Sequence, residues 1–169
     1  FGAEAADRMG ALAEKADVVL AGPGMTTAFG ACECVRQLLA APAALVLDAD
    51  ALNAIVKICT GSAEEHPDPL RREYPLVLTP HRRELARLVG EEPAQTASLA
   101  SAMHAAQSLA WAVGSADFCV VAKGPVTAVS TIDSTLIPQP GPAALATAGT
   151  GDVLSGVVAG LLAQSVAQL

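Results

Sequence analysis

Short apolar runs alternate with longer alanine-rich stretches along almost the whole sequence. The runs have strand length and the stretches between them have helix length. Neighbouring parallel strands need a helical crossover, and the connections here are short. The alternation therefore predicts an α/β fold with three layers, a mostly parallel sheet with helices on both faces. Hydrophobic residues make up 52% of the chain, charged residues 16% and aromatic residues 3%. Alanine, valine and leucine dominate the apolar share, which suits buried strands under small-residue helices. Such a composition excludes a disordered chain or a coiled coil. The 169 residues suffice for one domain with a sizeable core. No repeat or linker divides them, so 1–169 reads as a single domain.

The predicted strands are 18–20, 44–47, 76–79 and 118–122. The predicted helices are 3–16, 27–40, 51–59, 82–89, 96–113 and 150–167. Residues 60–75, with Gly61, Pro67, Pro69 and Pro75, read as a loop. Residues 126–130 and 135–137 read as a small antiparallel hairpin around Asp133 and Ser134. In the last helix Val153, Leu154, Val157, Val158, Leu161 and Leu162 recur with helical spacing. Gly156 and Gly160 lie one turn apart there and would allow close packing.

Several function classes drop out. Net charge is −7 and the ten basic residues form no long cluster, which argues against nucleic-acid binding. No apolar run reaches the roughly 20 residues of a membrane span. No basic start leads into an apolar stretch, so a cytoplasmic location is expected. Cys32 and Cys34 have no second ligand pair to complete a zinc site, and all four cysteines are expected to be reduced and structural. Gly22-Pro23-Gly24 lacks the third glycine of a dinucleotide fingerprint, and no glycine-lysine-serine/threonine run of a Walker A loop occurs.

In open α/β sheets ligands collect outside the carboxyl ends of the strands. The distinctive residues fall there: Gly22-Pro23-Gly24, Asp48 and Asp50, Thr79-Pro80-His81, and Lys123-Gly124 each follow a strand. Gly149-Thr150-Gly151-Asp152 opens the last helix. Free amides and the positive end of the helix dipole attract phosphate. Asp152, in the first turn, can face the same anion or a substrate hydroxyl; a plain helix cap is the simpler reading. Asp48 and Asp50 point the same way if their strand extends that far. They would then bind a hydrated cation or orient a hydroxyl; a solvated loop with Asp50 as a helix cap is equally compatible. His81 and Glu84 share a face if the helix has begun. Glu84 could organise magnesium through water. Lys123 suits a phosphate.

Taken in order, GPG, DADAL (48–52), TPHRRE (79–84), KG (123–124) and ATAGTGDVLSG (146–156) resemble the ATP- or ADP-dependent NAD(P)H-hydrate dehydratases of the ribokinase-like superfamily. The resemblance covers nearly all of the chain. It implies phosphorylation of the ring hydroxyl of hydrated NADH or NADPH from ADP or ATP, followed by loss of phosphate. Asp152 would be the catalytic base for that hydroxyl. The amides of Gly149, Thr150 and Gly151 would stabilise the transferring phosphoryl group. Lys123, Gly124, Thr127 and Ala148 would hold the adenine nucleotide. Gly24 and His81, with Asp152, would contact the hydrated dinucleotide, and Glu84 would stand near Mg2+. A homo-oligomer is expected.

Met25 and Thr26, Arg83 and the lack of an asparagine in 139–145 depart from the family pattern. The family also begins with further strands and helices, including a segment that lines the nicotinamide pocket. An N-terminally truncated piece is thus expected. A small-molecule kinase of the same superfamily and a non-catalytic nucleotide-binding fragment are the competing readings.

Overall fold

The computed structural model describes residues 2–26, 29–61 and 70–166. Their elements are α1 (Ala3–Ala13), β1 (Val18–Ala21), α2 (Phe29–Ala40), β2 (Ala44–Leu47), α3 (Ala49–Gly61) and β3 (Leu76–Leu78). There follow α4 (Arg82–Leu88), α5 (Leu99–Val113), β4 (Phe118–Ala122), β5 (Ala128–Ser130), β6 (Thr135–Leu136), a 3-10 turn (Ala143–Leu145) and α6 (Thr150–Val166).

The six strands form one sheet in sequence order. β1 to β4 run parallel, and β5 and β6 add an antiparallel hairpin. Strand order and chirality together dictate the layers. Right-handed crossovers that step one way across a sheet all place their helices on one face. Accordingly α2, α3, α4 and α5 pack side by side in one layer, with α1 against α2. Helix α6 instead lies over β1 and β2, on the opposite face. Helices on both faces are thus present, in unequal numbers.

Residue burial follows that asymmetry. Leu45, Leu47, Leu76, Leu78, Phe118 and Val120 point into the helical layer and are buried with Leu38, Leu52, Ile55 and Leu85. Each such side chain contributes about 1.5–3 kcal/mol by leaving water. The alternate row pairs Leu20, Val46, Val77 and Cys119 across four strands, and faces the other way. Only Val46 of that row is fully buried.

Element boundaries shift for local reasons. The last turn of α1 tightens, with Lys15 N–H donating to Leu12 C=O and Ala16 N–H to Ala13 C=O, so the helix ends before residue 16. Helix α5 begins at Leu99 rather than 96 because Ser98 caps it; its side chain accepts from Ser101 N–H at 3.0 Å. Helix α3 begins at Ala49, immediately after Asp48. The start of the predicted helix 27–40, residues 62–69 of the predicted loop 60–75, and residue 167 lie outside the described residues.

Gly156 and Gly160 have no close neighbour among the described residues. A Cβ placed on either would touch nothing within 4 Å. Val153, Val157 and Leu161 are 66%, 53% and 58% exposed. The sequence of α6 is apolar nearly all round, and a helix lying on two strands can bury only one stripe of it.

The hairpin is tied to α5 by polar contacts. Gln107 Nε2 donates to the Thr131 and Ile132 carbonyls at 2.6 and 3.2 Å, and Gln107 Oε1 accepts from Thr135 Oγ1. Trp111 Nε1 donates to Ile132 C=O at 2.8 Å. Gln107→Ala leaves these groups without that partner and should cost about 1–3 kcal/mol. Thermal denaturation should show a Tm lower by roughly 2–10 °C, with Trp111 fluorescence reporting the loosened hairpin.

Candidate functional site

Backbone pairing continues past the strand ends. Asp48 N–H donates to Ala21 C=O at 3.0 Å, Thr79 N–H to Leu47 C=O at 3.1 Å, and Lys123 N–H to Pro80 C=O at 2.8 Å. The segments after β1, β2, β3 and β4 therefore lie side by side along the carboxyl edge of the sheet. Residues 123–127 connect β4 to β5 at this same end, which brings Gly124 and Thr127 there.

Asp48 and Asp50 diverge, contrary to the strand geometry anticipated for them. The strand stops at Leu47, and Ala49 takes a left-handed backbone, φ +48°. That turn costs a non-glycine residue on the order of 1–2 kcal/mol. It points Asp48 inward, where it is 1% exposed. Asp48 Oδ1 accepts from Lys123 Nζ at 2.6 Å and from Ala49 N–H at 2.8 Å. Asp50 does not cap α3; its Oδ2 accepts from Thr26 N–H at 2.9 Å and fixes the loop after β1. Thr26 is itself held at φ +63°. Below it Gly22, at φ +131°, lies directly against the Asp48 backbone.

His81 and Glu84 form a capping box at the start of α4. His81 Nδ1 accepts from Arg83 and Glu84 N–H at 3.1 and 3.3 Å, and Glu84 Oε2 accepts from His81 N–H at 2.8 Å. His81 Nε2 stands 3.3 Å from Glu84 Oε1. His81 is half exposed, so its ring remains open to a ligand, while Glu84 is buried. Burial pushes the Glu84 carboxyl above its usual range. The His81 amide, the His81 ring and Lys123 oppose that rise, and Asp48 adds to it.

Helix α6 supplies the fourth component. Gly149, at φ +85°, turns the chain into the helix. A Cβ on Gly151 would lie 3.3 Å from Lys123 Nζ, so the ammonium sits directly beneath the first turn. Asp152 occupies that turn and is exposed. Among the described residues its carboxylate accepts no hydrogen bond. Gly24 and Ala148 are also exposed, Gly24 at φ +74°. The structure thus joins Asp48, Lys123, Gly151, His81 and Glu84 in one cluster, and among the described residues no side-chain hydrogen bond ties Gly24, Thr127, Ala148 or Asp152 to it.

Beside Lys123 and Gly124 lies an open cleft of about 150 Å³, lined also by Arg82, Ser98, Leu99 and Val126. Arg82 and Ser98 were not singled out from the sequence. The spacing Ser98-x-x-Ser101 marks a helix start, but nothing local shows that α5 begins beside Lys123.

The sequence model of the NAD(P)H-hydrate dehydratases matches residues 2–169. The chain belongs to this family. It is 39% identical over 166 residues to the bifunctional NAD(P)H-hydrate repair enzyme Nnr of Salinibacter ruber, covering 98% of this chain and 28% of that one. A solved ribokinase-like superfamily protein from Enterococcus faecalis superposes with a TM-score of 0.71 at 26% identity, over 95% of this chain and 52% of that chain. The ADP/ATP-dependent NAD(P)H-hydrate dehydratase of Bacillus subtilis, co-crystallised with ATP and Mg2+ and soaked with CoA, gives a TM-score of 0.69 at 27% identity. That match covers 90% of this chain and 53% of that chain. The chain therefore spans about half the length of these solved dehydratase-family and ribokinase-like structures. Among the described residues no helix is long and apolar enough to cross a membrane.

Proposed function

We propose that this chain carries the phosphoryl-transfer portion of an ADP- or ATP-dependent dehydratase that restores NADH and NADPH from their hydrated forms. The observation that carries the reading is Lys123 Nζ beneath Gly151, where an ammonium and the first-turn amides of a helix N-terminus converge. Two positive features aimed at one point suit a terminal phosphate of a nucleotide.

Phosphoryl transfer asks a protein chiefly to position groups and offset charge. The amides of Gly149, Thr150 and Gly151 would face the transferring phosphoryl group. Asp152, exposed in the same turn and unengaged, would take the proton from the ring hydroxyl as its oxygen attacks phosphorus. Phosphate, once formed on that oxygen, is a far better leaving group than hydroxide, and its departure with the C–O bond, together with loss of a proton from the adjacent ring carbon, would restore the ring double bond. Gly24 and His81 would contact the hydrated dinucleotide, and Lys123, Gly124, Thr127 and Ala148 the adenine nucleotide.

Magnesium suits this arrangement as an ion shared with the nucleotide. Among the described residues no three His, Cys, Asp or Glu side chains converge to cage a metal, and magnesium commonly binds through phosphates, water and one or two carboxylates. Glu84 would hold it through water, and the ion would offset phosphate charge. We further assign the protein to the cytoplasm, as a homo-oligomer whose catalytic domain includes residues 1–169.

The test is to incubate the full-length protein with hydrated NADH and follow the absorbance of reduced nicotinamide. Absorbance should return with ADP or ATP and stay flat without either. A protein that binds adenine nucleotide yet restores no NADH would be a kinase of another substrate or a non-catalytic binder.

A further inference from the structure

The Asp48 carboxylate has no place in the chemistry above, yet it is closely held. It is 1% exposed. Its orientation depends on a left-handed alanine, and its backbone is buttressed by Gly22 and by hydrogen bonds to Ala21 C=O and from Ala51 N–H. Among the described residues its charged hydrogen-bond partner is Lys123, at 2.6 Å. Strained backbone of this kind persists where the surrounding structure enforces it, and it concentrates at functional sites.

Electrostatics suggests the use. Lys123 Nζ lies beneath the positive end of α6, an unfavourable place for a cation. Left alone, the side chain would swing to water, because the ammonium is strongly hydrated on a flexible stem. We propose that Asp48 is a positioning residue for phosphoryl transfer. It holds the Lys123 ammonium under Gly151 against the helix dipole, so that the cation is in place as charge develops on the transferring group. Asp48 itself touches no reactant. Preorganisation of this sort removes the cost of reorienting a charge during the reaction.

This inference rests on the functional reading above, and it makes a separate prediction about rates. Asp48→Asn keeps an acceptor for Ala49 N–H but removes the charge. In the full-length protein it should lower kcat by about tenfold or more. KM for the nucleotide should stay level or fall, because the released ammonium is freer to meet a ground-state phosphate. Lys123→Met should lower kcat by on the order of a hundredfold. Adding Asp48→Asn to Lys123→Met should then do no further harm, as expected when one residue acts only through the other. Nitrogen-detected NMR of the lysine ammonium groups gives a reading that needs no turnover. Lys123 Nζ should exchange slowly with solvent in the unsubstituted protein and rapidly in Asp48→Asn.

Equal losses from Asp48→Asn with and without Lys123 would overturn the proposal, as would fast exchange of the Lys123 ammonium in the unsubstituted protein. Slow exchange in a protein that restores no NADH would instead remove the dehydratase reading, and with it the catalytic use of the pair. If Asp48→Asn does not fold, Asp48→Glu tests the same point. It keeps the charge but displaces the ammonium, and should still lower kcat with little change in KM.

Discussion

Asp152→Asn is expected to lower kcat for the restoration of NADH by about a thousandfold or more. The carboxylate sits in the first turn of α6, exposed and unengaged, beside the point where Lys123 Nζ and the helix amides converge. An amide of the same shape cannot accept the hydroxyl proton, so the loss falls on the chemical step. Binding and folding should hardly change. A first-turn acid contributes about 0.3–1 kcal/mol through the helix dipole, a shift in Tm of only a few degrees. Steady-state kinetics, nucleotide titration and thermal denaturation on one preparation separate these effects. An Asp152→Asn enzyme with undiminished kcat would take the residue out of the reaction. A matching loss of nucleotide affinity would make it a binding residue instead of a base.

Gly22→Ala should have the largest effect on stability. A Cβ at Gly22 would lie 1.7 Å from the Asp48 carbonyl oxygen, and the residue sits at φ +131°, where side chains are strained in any case. Both faults concern backbone, so no rotamer change relieves them. The ends of β1 and β2 would have to part, breaking the bond from Asp48 N–H to Ala21 C=O. A cost above about 4 kcal/mol is expected, in the range reserved for such clashes. At roughly 2–4 °C per kcal/mol, Tm should fall by about 10 °C, or the chain should fail to fold. Gly24→Ala is the control for positive φ alone: Gly24 is at φ +74° with open space around it, and its loss should be far smaller. Equal losses from both would show that conformation, and not the contact with Asp48, is what Gly22 provides.

The features legible in the sequence were those written locally. The strands reveal themselves because a parallel sheet buried on its helical face needs runs such as Ala44–Leu47. The GPG, DADAL, TPH and KG segments could be placed on the carboxyl edge because each follows such a run. The pairing of His81 with Glu84 on one face of a helix start follows from their spacing, but the histidine's part in a capping box does not. Long-range relations were not written locally. Nothing between residues 48 and 123 announces that Asp48 and Lys123 meet; strand order decides it. The divergence of Asp48 and Asp50 turns on one left-handed alanine, a residue type that seldom adopts that conformation. Periodicity in α6 was correctly helical, but periodicity does not say what lies opposite. The spacing of Gly156 and Gly160 was compatible with a close neighbour that the described residues do not provide.

The central claim is that a phosphoryl group passes from a nucleotide to the hydroxyl of hydrated NADH beside Asp152 and then leaves. The direct measurement is the amount of inorganic phosphate released for each NADH restored by the full-length protein with ATP. The account predicts equal amounts, with ADP formed in step. A stable phosphorylated product without NADH, or NADH restored with no nucleotide consumed, would contradict it.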